Sequence, residues 1–277
     1  MGVKLIAVDM DGTLMDNSHI AVSGRNKAAL REAAEQGIHI VLASGRPLAL
    51  MTDTAAELAC VRYVITANGA CVWDLKNDIR LADRSIPEEQ TRRILDILTD
   101  YPIAAEVYCG GRTYVDRRTW RFDRYVKHPP EFLAFRAERN MVADDLKAAV
   151  TGLRAEKFNV DGISPEQMEA ILARLSPFGD SLTINFIACY DNLEICRRDA
   201  TKGNALKALC QALGIARDEV MAFGDSDNDA DMLGWAEWSF FMSGGEAAAE
   251  AAARYQTEAN TKDGIALAIE KHLFQRG

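Results

Sequence analysis

The stretch that decides the fold is "LIAVDMDGTL", residues 5–14. Its first four residues are apolar, and a continuous apolar run of this kind is typical of a strand buried on both faces of a sheet. Asp9 and Asp11 follow directly, and Gly12 then supplies a turn-forming residue. Two like charges at the end of a buried strand repel each other and lose solvation. The pattern therefore predicts that a positive group lies beside them.

The composition limits the classes of function open to this chain of 277 residues. Hydrophobic residues make up 48%, enough for one large domain or two modest ones. A net charge of −9 argues against nucleic acid or an anionic membrane surface as the main partner. The six cysteines show no C-x-x-C spacing, and the N-terminus lacks the pattern of a signal peptide. We therefore expect a reducing, cytoplasmic setting.

Apolar runs that suit buried strands alternate with segments of helical period in both terminal parts of the chain. The predicted strands are "KLIAV" (4–8), "IHIVLA" (38–43), "RYVIT" (62–66) and "EVMAF" (219–223). The predicted helices cover residues 23–37, 201–214 and 264–273, and the first and second end at a glycine. This alternation predicts an α/β fold with a Rossmann-like, doubly wound parallel sheet to which both ends of the chain belong.

The middle of the chain has a different pattern. Two extended runs, "AAEVYC" (104–109) and "RTYVDR" (112–117), are separated by two glycines and predict a hairpin. Helices are predicted over 87–101 and 164–175, and a strand over 182–190. Hairpin strands interleaved with helices indicate an inserted α+β domain. We therefore predict a catalytic core of residues 1–83 and 191–277 and an inserted cap of residues 84–190.

Polar side chains follow each predicted core strand, at the sheet edge where function concentrates in open α/β folds. In strand order they are Asp9 and Asp11; Ser44, Gly45 and Arg46; Asn68; and Asp225, Asp227, Asn228 and Asp229. Lys202 stands at the start of a predicted helix, where backbone N–H groups favour anions.

These side chains suit phosphoryl transfer. The carboxylates of Asp9 and Asp225 are the hard oxygen ligands that Mg²⁺ prefers, and the cation would relieve their repulsion. One aspartate could then act as a nucleophile. Ser44, Lys202 and the metal would stabilise charge on the transferring phosphoryl group. Asp11 would be available as general acid and base.

Five motifs carry a resemblance to a known family. They are Asp9-Met-Asp-Gly-Thr-Leu14, Ala43-Ser-Gly-Arg46, Ala67-Asn-Gly-Ala70, Thr201-Lys-Gly203 and Gly224-Asp-Ser-Asp-Asn-Asp229. In this order they resemble the haloacid dehalogenase-like phosphatase superfamily, and within it the Cof-type sugar-phosphatase group. The resemblance covers the predicted core, and the inserted segment has the size of that family's cap.

The resemblance implies specific roles. Asp9 would be the nucleophile and Asp11 the general acid and base. Substrate-binding residues would be Gly12, Ser44, Gly45, Arg46, Asn68, Lys202 and Asn228. The metal would be Mg²⁺, with Asp9, Asp11, Asp225 and Asp229 around it.

The chain also departs from the family pattern. Ser44 stands where many relatives have threonine, a change that keeps the hydroxyl group. In "FFMSGGEAA" (240–248), Glu246 lies near the position at which Cof-type proteins usually have asparagine. Asn260 and Asp263 match the family's C-terminal pattern as supporting positions. The histidines are too scattered for a metal cluster and receive no catalytic role: His19, His39, His128 and His272.

The substrate depends on the cap. Its polar and aromatic candidates are Tyr108, Arg112, Tyr114, Arg117, Arg118, Trp120, Tyr125, Lys127 and His128. We expect a Mg²⁺-dependent phosphatase, a monomer or homodimer, acting on small phosphorylated metabolites. Sugar phosphates are the first choice, with a flavin or pyridoxal phosphate as further choices. Two alternatives are a phosphomutase that uses the same aspartates and a regulator that binds a phosphometabolite without turnover.

Overall fold

A computed structural model describes residues 2–120, 129–187 and 192–276 of the chain. These residues form two compact units. The first comprises Met1–Arg46, Met51–Asp83 and Thr201–Gly277, and the second comprises Pro47–Leu50 and Arg84–Ala200. Within the described residues, no helix combines the length and the apolar character needed to cross a membrane.

The strands fall into two sheets. In chain order they are β1 (Leu5–Asp9), β2 (His39–Ala43), β3 (Val61–Thr66), β4 (Cys71–Asp74), β5 (Ile79–Asp83), β6 (Ala104–Cys109), β7 (Arg112–Asp116), β8 (Met141–Ala143), β9 (Lys157–Asp161), β10 (Leu182–Ile187), β11 (Asn192–Arg197), β12 (Val220–Gly224), β13 (Trp238–Met242) and β14 (Tyr255–Thr257).

The helices connect and cover these strands. In chain order they are α1 (Gly24–Glu35), α2 (Thr52–Leu58), α3 (Glu88–Thr99), α4 (Pro130–Ala137), α5 (Leu146–Ala149), α6 (Pro165–Leu175), α7 (Lys202–Leu213), α8 (Ala230–Trp235), α9 (Ala247–Ala252) and α10 (Gly264–His272).

The first unit is built on an eight-stranded sheet in the order β14-β13-β12-β1-β2-β3-β4-β5. Strands β14 to β3 in this order run parallel, and β4 and β5 add an antiparallel edge. All five residues of β1 are buried. Leu5 and Ala7 pack with apolar residues of α7, α8 and α9 on one face. Ile6 and Val8 point to the opposite face because side chains alternate along a strand.

The second unit contains a six-stranded sheet in the order β10-β11-β9-β6-β7-β8. One face carries Val107, Phe158 and Ile195, which pack against apolar residues of α3, α5 and α6. Helix α6 begins with a capping box in which Ser164 and Gln167 satisfy each other's backbone N–H groups. Because side chains alternate along a strand, the positions between these apolar residues place polar side chains on the other face of this sheet.

The predicted α/β class is confirmed, and the predicted hairpin of β6 and β7 forms across residues 110–111. Three features differ from the prediction, and the first is that Pro47–Leu50 belong to the second unit although they lie in the predicted core. The first sheet is not wholly parallel, because β4 and β5 extend it as a hairpin. The second junction lies between residues 200 and 201 rather than between 190 and 191. The reason is that β11 pairs with β9 and β10 in the second sheet.

Candidate active site

Three carboxylates meet at the carboxyl ends of two neighbouring strands. Strands β1 and β12 pair in parallel, with Ala7 beside Ala222, so the residues after them emerge together. One carboxylate oxygen from each of Asp9, Asp225 and Asp229 lies within 4.8 Å of the others. Asp9 and Asp229 are both buried. The fold therefore concentrates negative charge at this edge of the first sheet.

A positive group beside the aspartates is Lys202, which the sequence predicted as a substrate-binding residue. Its Nζ donates hydrogen bonds of 2.7 Å to Oδ1 of Asp9 and of 2.7 Å to Oδ1 of Asp229. Lys202 is only 1% exposed, although it is the first residue of α7. The Thr201 side chain caps this helix by accepting a hydrogen bond from the backbone N–H of Asn204. One ammonium group thus balances part of the charge of three carboxylates.

Burial and the remaining negative charge shift the pKa values of the side chains in this group. Burial and the neighbouring carboxylate of Asp229 raise the pKa of Asp9 well above its ordinary value, although Lys202 opposes this. Burial and Asp229 also raise the pKa of Asp225 to about 6. Burial acts to lower the pKa of Lys202, but Asp229 and Asp9 prevail and raise it, so the lysine stays charged. The carboxylates repel each other more than one lysine can offset.

Asp225 is held in place by the segment that follows β1. The Thr13 hydroxyl donates a hydrogen bond of 2.7 Å to Oδ1 of Asp225. Gly12 has a φ of +81°, and a Cβ at this position would lie 2.3 Å from Oδ2 of Asp225. Glycine is required here for both reasons, since any side chain would displace the carboxylate.

The carboxylate of Asp11 lies outside this group. It accepts hydrogen bonds from Arg46 Nε at 2.8 Å and Arg46 Nη2 at 2.5 Å, and Nδ1 of His19 lies 2.7 Å from its Oδ1. Arg46 Nη2 also donates to the backbone oxygen of His19 at 2.7 Å. Burial acts to raise the pKa of Asp11, but Arg46 and His19 outweigh it and hold this pKa well below its ordinary value. Asp11 is therefore an ionised carboxylate.

The group formed by Asp9, Asp225 and Asp229 fits a divalent cation. Oδ2 of Asp9 is buried and has no hydrogen-bond partner among the described residues. A buried carboxylate oxygen without a partner is costly unless a cation meets it. Three carboxylates and one ammonium carry a formal excess of two negative charges, and hard oxygen ligands suit Mg²⁺.

Of the four predicted metal ligands, Asp9 and Asp225 fit that role best. Oδ1 of Asp229 accepts the hydrogen bond from Lys202, and Oδ2 accepts those from the backbone N–H groups of Asp225 and Ser226, both at 3.1 Å. Asp229 therefore orders its neighbours. The side chain of Asp11 is turned toward Arg46 instead of this group.

Several predicted substrate-binding residues lie at the ends of β2 and β3. Ser44 and Asn68 are buried, and the Ser44 hydroxyl accepts a hydrogen bond of 3.2 Å from the backbone N–H of Arg46. Gly45, between Ser44 and Arg46, is partly exposed. Asn228 Nδ2 donates a hydrogen bond of 3.1 Å to Oδ1 of Asn68, so the structure joins these two amides.

The structure also places Glu246, which departs from the family pattern, and Asn260 and Asp263, which match it. Glu246 lies beside the 225–229 loop and accepts a hydrogen bond of 2.7 Å from the backbone N–H of Asp227. Asn260 Nδ2 donates a hydrogen bond of 2.8 Å to the backbone oxygen of Met15. Asp263 adopts a left-handed backbone conformation with a φ of 59° and precedes α10.

The candidates in the second unit have varied surroundings. Tyr108 is buried, and Tyr114 packs against the apolar core of this unit. Arg117 forms an exposed ion pair with Asp144, and the exposed Arg118 pairs with the buried Asp116. Arg112 is exposed beside the sulfur of Met141, and Trp120 is partly exposed. Tyr125, Lys127 and His128 lie outside the described residues.

Three contributors to the site were not identified from the sequence. Thr13 contacts Asp225, His19 contacts Asp11, and the carboxylate of Asp231 accepts two hydrogen bonds of 3.0 Å from the backbone N–H of Gly203. Thr13 stands inside the Asp9–Leu14 motif and could have been recognised there. No pattern in the single sequence pointed to His19, since its contact depends on how residues 15–22 return to β1.

The comparisons with known proteins agree with this geometry. A model of the haloacid dehalogenase-like hydrolase family matches residues 6–269. The phosphatase YwpJ of Bacillus subtilis is 29% identical over 98% of this chain and 100% of its own length. The 5-amino-6-(5-phospho-D-ribitylamino)uracil phosphatase YcsE, from the same organism, is 27% identical over 96% of this chain and 94% of its own.

A solved structure shows the same fold. The crystal structure of a haloacid dehalogenase-like hydrolase from Bacteroides thetaiotaomicron superposes with a TM-score of 0.85, at 26% identity, over 97% of this chain and 99% of that one. The family match, the similar solved structure and the carboxylates at the strand ends all point to the same family. The chain belongs to the haloacid dehalogenase-like hydrolases, in the Cof-type group, and is a phosphatase of that family.

Proposed function

We propose that this phosphatase depends on Mg²⁺ and hydrolyses small phosphorylated metabolites through a phosphorylated Asp9. One observation carries the proposal. Asp9 is buried, its Oδ1 is held by Lys202, and its Oδ2 has no hydrogen-bond partner in the described part of the chain. A buried carboxylate that is oriented by a lysine and not saturated with hydrogen bonds is available to a cation and to a reacting phosphorus atom.

The reaction has two steps. A carboxylate oxygen of Asp9 forms a bond to phosphorus while the bond from phosphorus to the leaving oxygen breaks, and Asp11 gives that oxygen a proton. A water molecule then attacks phosphorus and gives a proton back to Asp11, and the bond to Asp9 breaks. Lys202 keeps Asp9 oriented in both steps. Ser44 and the Asn68–Asn228 pair supply polar groups for the phosphoryl oxygens.

Asp11 can serve as the acid only after a rearrangement. Its ion pair with Arg46 favours the ionised form, which accepts a proton but cannot donate one. Arg46 and His19 must therefore loosen their hold on Asp11, and Asp11 must take up a proton from water, before the leaving oxygen is protonated. A substrate phosphate that draws Arg46 away would have this effect, because guanidinium groups bind phosphate strongly.

Asp9 and Asp225 would hold the Mg²⁺ ion, with Asp229 beside them. When bound, Mg²⁺ supplies positive charge that stabilises the phosphoryl oxygens and offsets the repulsion among the carboxylates.

We propose sugar phosphates or sugar-alcohol phosphates as substrates, with flavin mononucleotide and pyridoxal phosphate as further candidates. The name of the relative YcsE places a phosphorylated ribityl group on its own substrate. The second unit is the proposed cap that selects among substrates. We further propose a cytoplasmic location, a monomeric or homodimeric state, and no nucleic-acid or membrane partner.

The experiment is phosphate release from a panel of sugar phosphates, 5-amino-6-(5-phospho-D-ribitylamino)uracil, flavin mononucleotide, pyridoxal phosphate and an aryl phosphate. Each is assayed with Mg²⁺ and with a chelator, for the wild type and for Asp11→Asn. Release that requires Mg²⁺ and falls about a hundredfold or more in Asp11→Asn supports the proposal. Isomerised product without free phosphate would indicate a mutase and contradict it. Release at full rate in the chelator would contradict the Mg²⁺ dependence.

A further inference from the structure

We infer that Glu246 is a positioning residue for Mg²⁺ binding: it fixes the loop that carries Asp225. The inference rests on the proposed function, because it concerns the ion that function requires. It concerns a residue at which this sequence departs from the family pattern, and to which neither the family match nor the proposed mechanism gives a role.

Glu246 contacts the loop at two points. Its backbone N–H donates a hydrogen bond of 2.7 Å to the backbone oxygen of Asp225. Its Oε2 accepts a hydrogen bond of 2.7 Å from the backbone N–H of Asp227. The two contacts lie on either side of Ser226, so one residue holds both ends of a three-residue segment.

The segment before Glu246 is itself anchored and lies very close to the loop. Ser243 donates a backbone hydrogen bond of 3.1 Å to Thr257, which ties the segment to β14. A Cβ at Gly245 would lie 2.2 Å from the backbone oxygen of Asp225. The sequence Gly245-Glu246 therefore combines a close backbone approach, which needs glycine, with a carboxylate that reaches past it.

These contacts complete the fixation of Asp225. Its backbone N–H is bound by Oδ2 of Asp229, its backbone oxygen by Glu246, and its Oδ1 by Thr13. Without the Glu246 carboxylate, the N–H of Asp227 would turn to water and the loop would sample more conformations. Mg²⁺ binding would then have to order Asp225, and the conformational entropy lost in this step would weaken the affinity for Mg²⁺.

The test is Mg²⁺ titration by calorimetry on the whole protein, with kcat measured at saturating Mg²⁺. Glu246→Ala should weaken Mg²⁺ affinity about threefold to tenfold, the value of one hydrogen bond. Glu246→Gln should keep the affinity within about twofold, because its side-chain oxygen can accept the same N–H. Glu250→Gln is the matched control, since Glu250 is an exposed acid on α9. In all variants kcat should stay within about twofold, because Glu246 contacts no reacting atom.

Three results would overturn the inference. Wild-type Mg²⁺ affinity in Glu246→Ala would do so, including when the melting temperature falls, because the residue would then be merely structural. Equal weakening in Glu246→Ala, Glu246→Gln and Glu250→Gln would show that negative charge acts at a distance, without positioning. A wild type that neither binds Mg²⁺ nor releases phosphate would refute the proposed function together with the inference, and this result is distinct from the other two.

Discussion

Among the described residues, each unit holds a group of buried charged side chains, and these two groups resolve the problem of burial differently. In the first unit, Asp9, Asp225 and Asp229 share one cation, Lys202. An oxygen of Asp9 has no hydrogen-bond partner among the described residues. The group is incomplete, and its carboxylates gain from an added cation.

The group in the second unit is satisfied from within. Arg136 Nη2 donates a hydrogen bond to Oε1 of the fully buried Glu106. Asn159 Nδ2 bridges Glu106 at 3.2 Å and Asp161 at 3.0 Å. Burial and Glu106 raise the pKa of Asp161 to about 7, while Arg136 opposes this. The second group thus reduces its charge by pairing and by holding a proton. The two groups therefore differ in one respect: Asp9 keeps a carboxylate oxygen without a hydrogen-bond partner among the described residues, whereas both carboxylate oxygens of Glu106 are bonded.

The largest expected effect is on phosphate release, which should depend on the first group of charged side chains and not on the second. Asp9→Asn should lower phosphate release about 10⁴-fold or more, because the proposed nucleophile is lost. Asp161→Asn makes the same change in the second group and should leave kcat within about threefold. Steady-state assays with Mg²⁺ measure both, and circular dichroism verifies folding. An equal loss of phosphate release in the two variants would contradict the assignment of the reactive site to the first group.

The second effect concerns pairing in the second unit. Arg136→Met should lower the free energy of unfolding by about 3–5 kcal/mol, because it leaves Glu106 buried without its charge partner. The control Arg117→Met removes an exposed pair with Asp144 and should cost less than about 1 kcal/mol. Urea unfolding followed by fluorescence measures both. A loss below about 1 kcal/mol in Arg136→Met would mean that Glu106 is satisfied without the arginine.

The third effect concerns the cation. At a Mg²⁺ concentration of 100 times its dissociation constant, the ion should stabilise the wild type by about 2.7 kcal/mol. A thermal-shift series with Mg²⁺ and with chelator measures this. Asp225→Asn should lose most of the shift, and Asp161→Asn should keep it. Loss of the Mg²⁺-dependent thermal shift in Asp161→Asn would contradict this, because the stabilisation by Mg²⁺ would then depend on the second unit.

The smallest effect is a pH dependence that belongs to the second group. Between its ordinary value of 3.8 and about 7, Asp161 binds a proton in the folded protein but not in the unfolded chain. Raising the pH through this window removes that proton, so the stability of the wild type should fall relative to Asp161→Asn. We expect a relative loss of about 1–2 kcal/mol between pH 5 and pH 7, measured by urea unfolding. A flat difference would show that Asp161 titrates normally.

Part of this site could be predicted because its chemistry lies in short motifs. Asp9 follows an apolar run that can only be a buried strand, and Lys202 follows a helix-capping threonine. The orientation of Asp11 could not be predicted. It depends on Arg46, which reaches it from the end of β2, and on His19, which returns to it from a loop. Contacts between distant segments leave no periodic pattern in a single sequence.

The sequence by itself determined the α/β class, the strand-end aspartates and a lysine at the start of a helix, because apolar periodicity, turn residues and helix caps act over a few positions. The tertiary structure decided which carboxylates lie together beside Lys202, which one pairs with Arg46, and that β11 joins the second sheet. It also decided that Glu246 reaches the Asp225 loop. Those outcomes depend on strand pairing and burial, which change pKa values and hydrogen-bond partners only when the chain has folded.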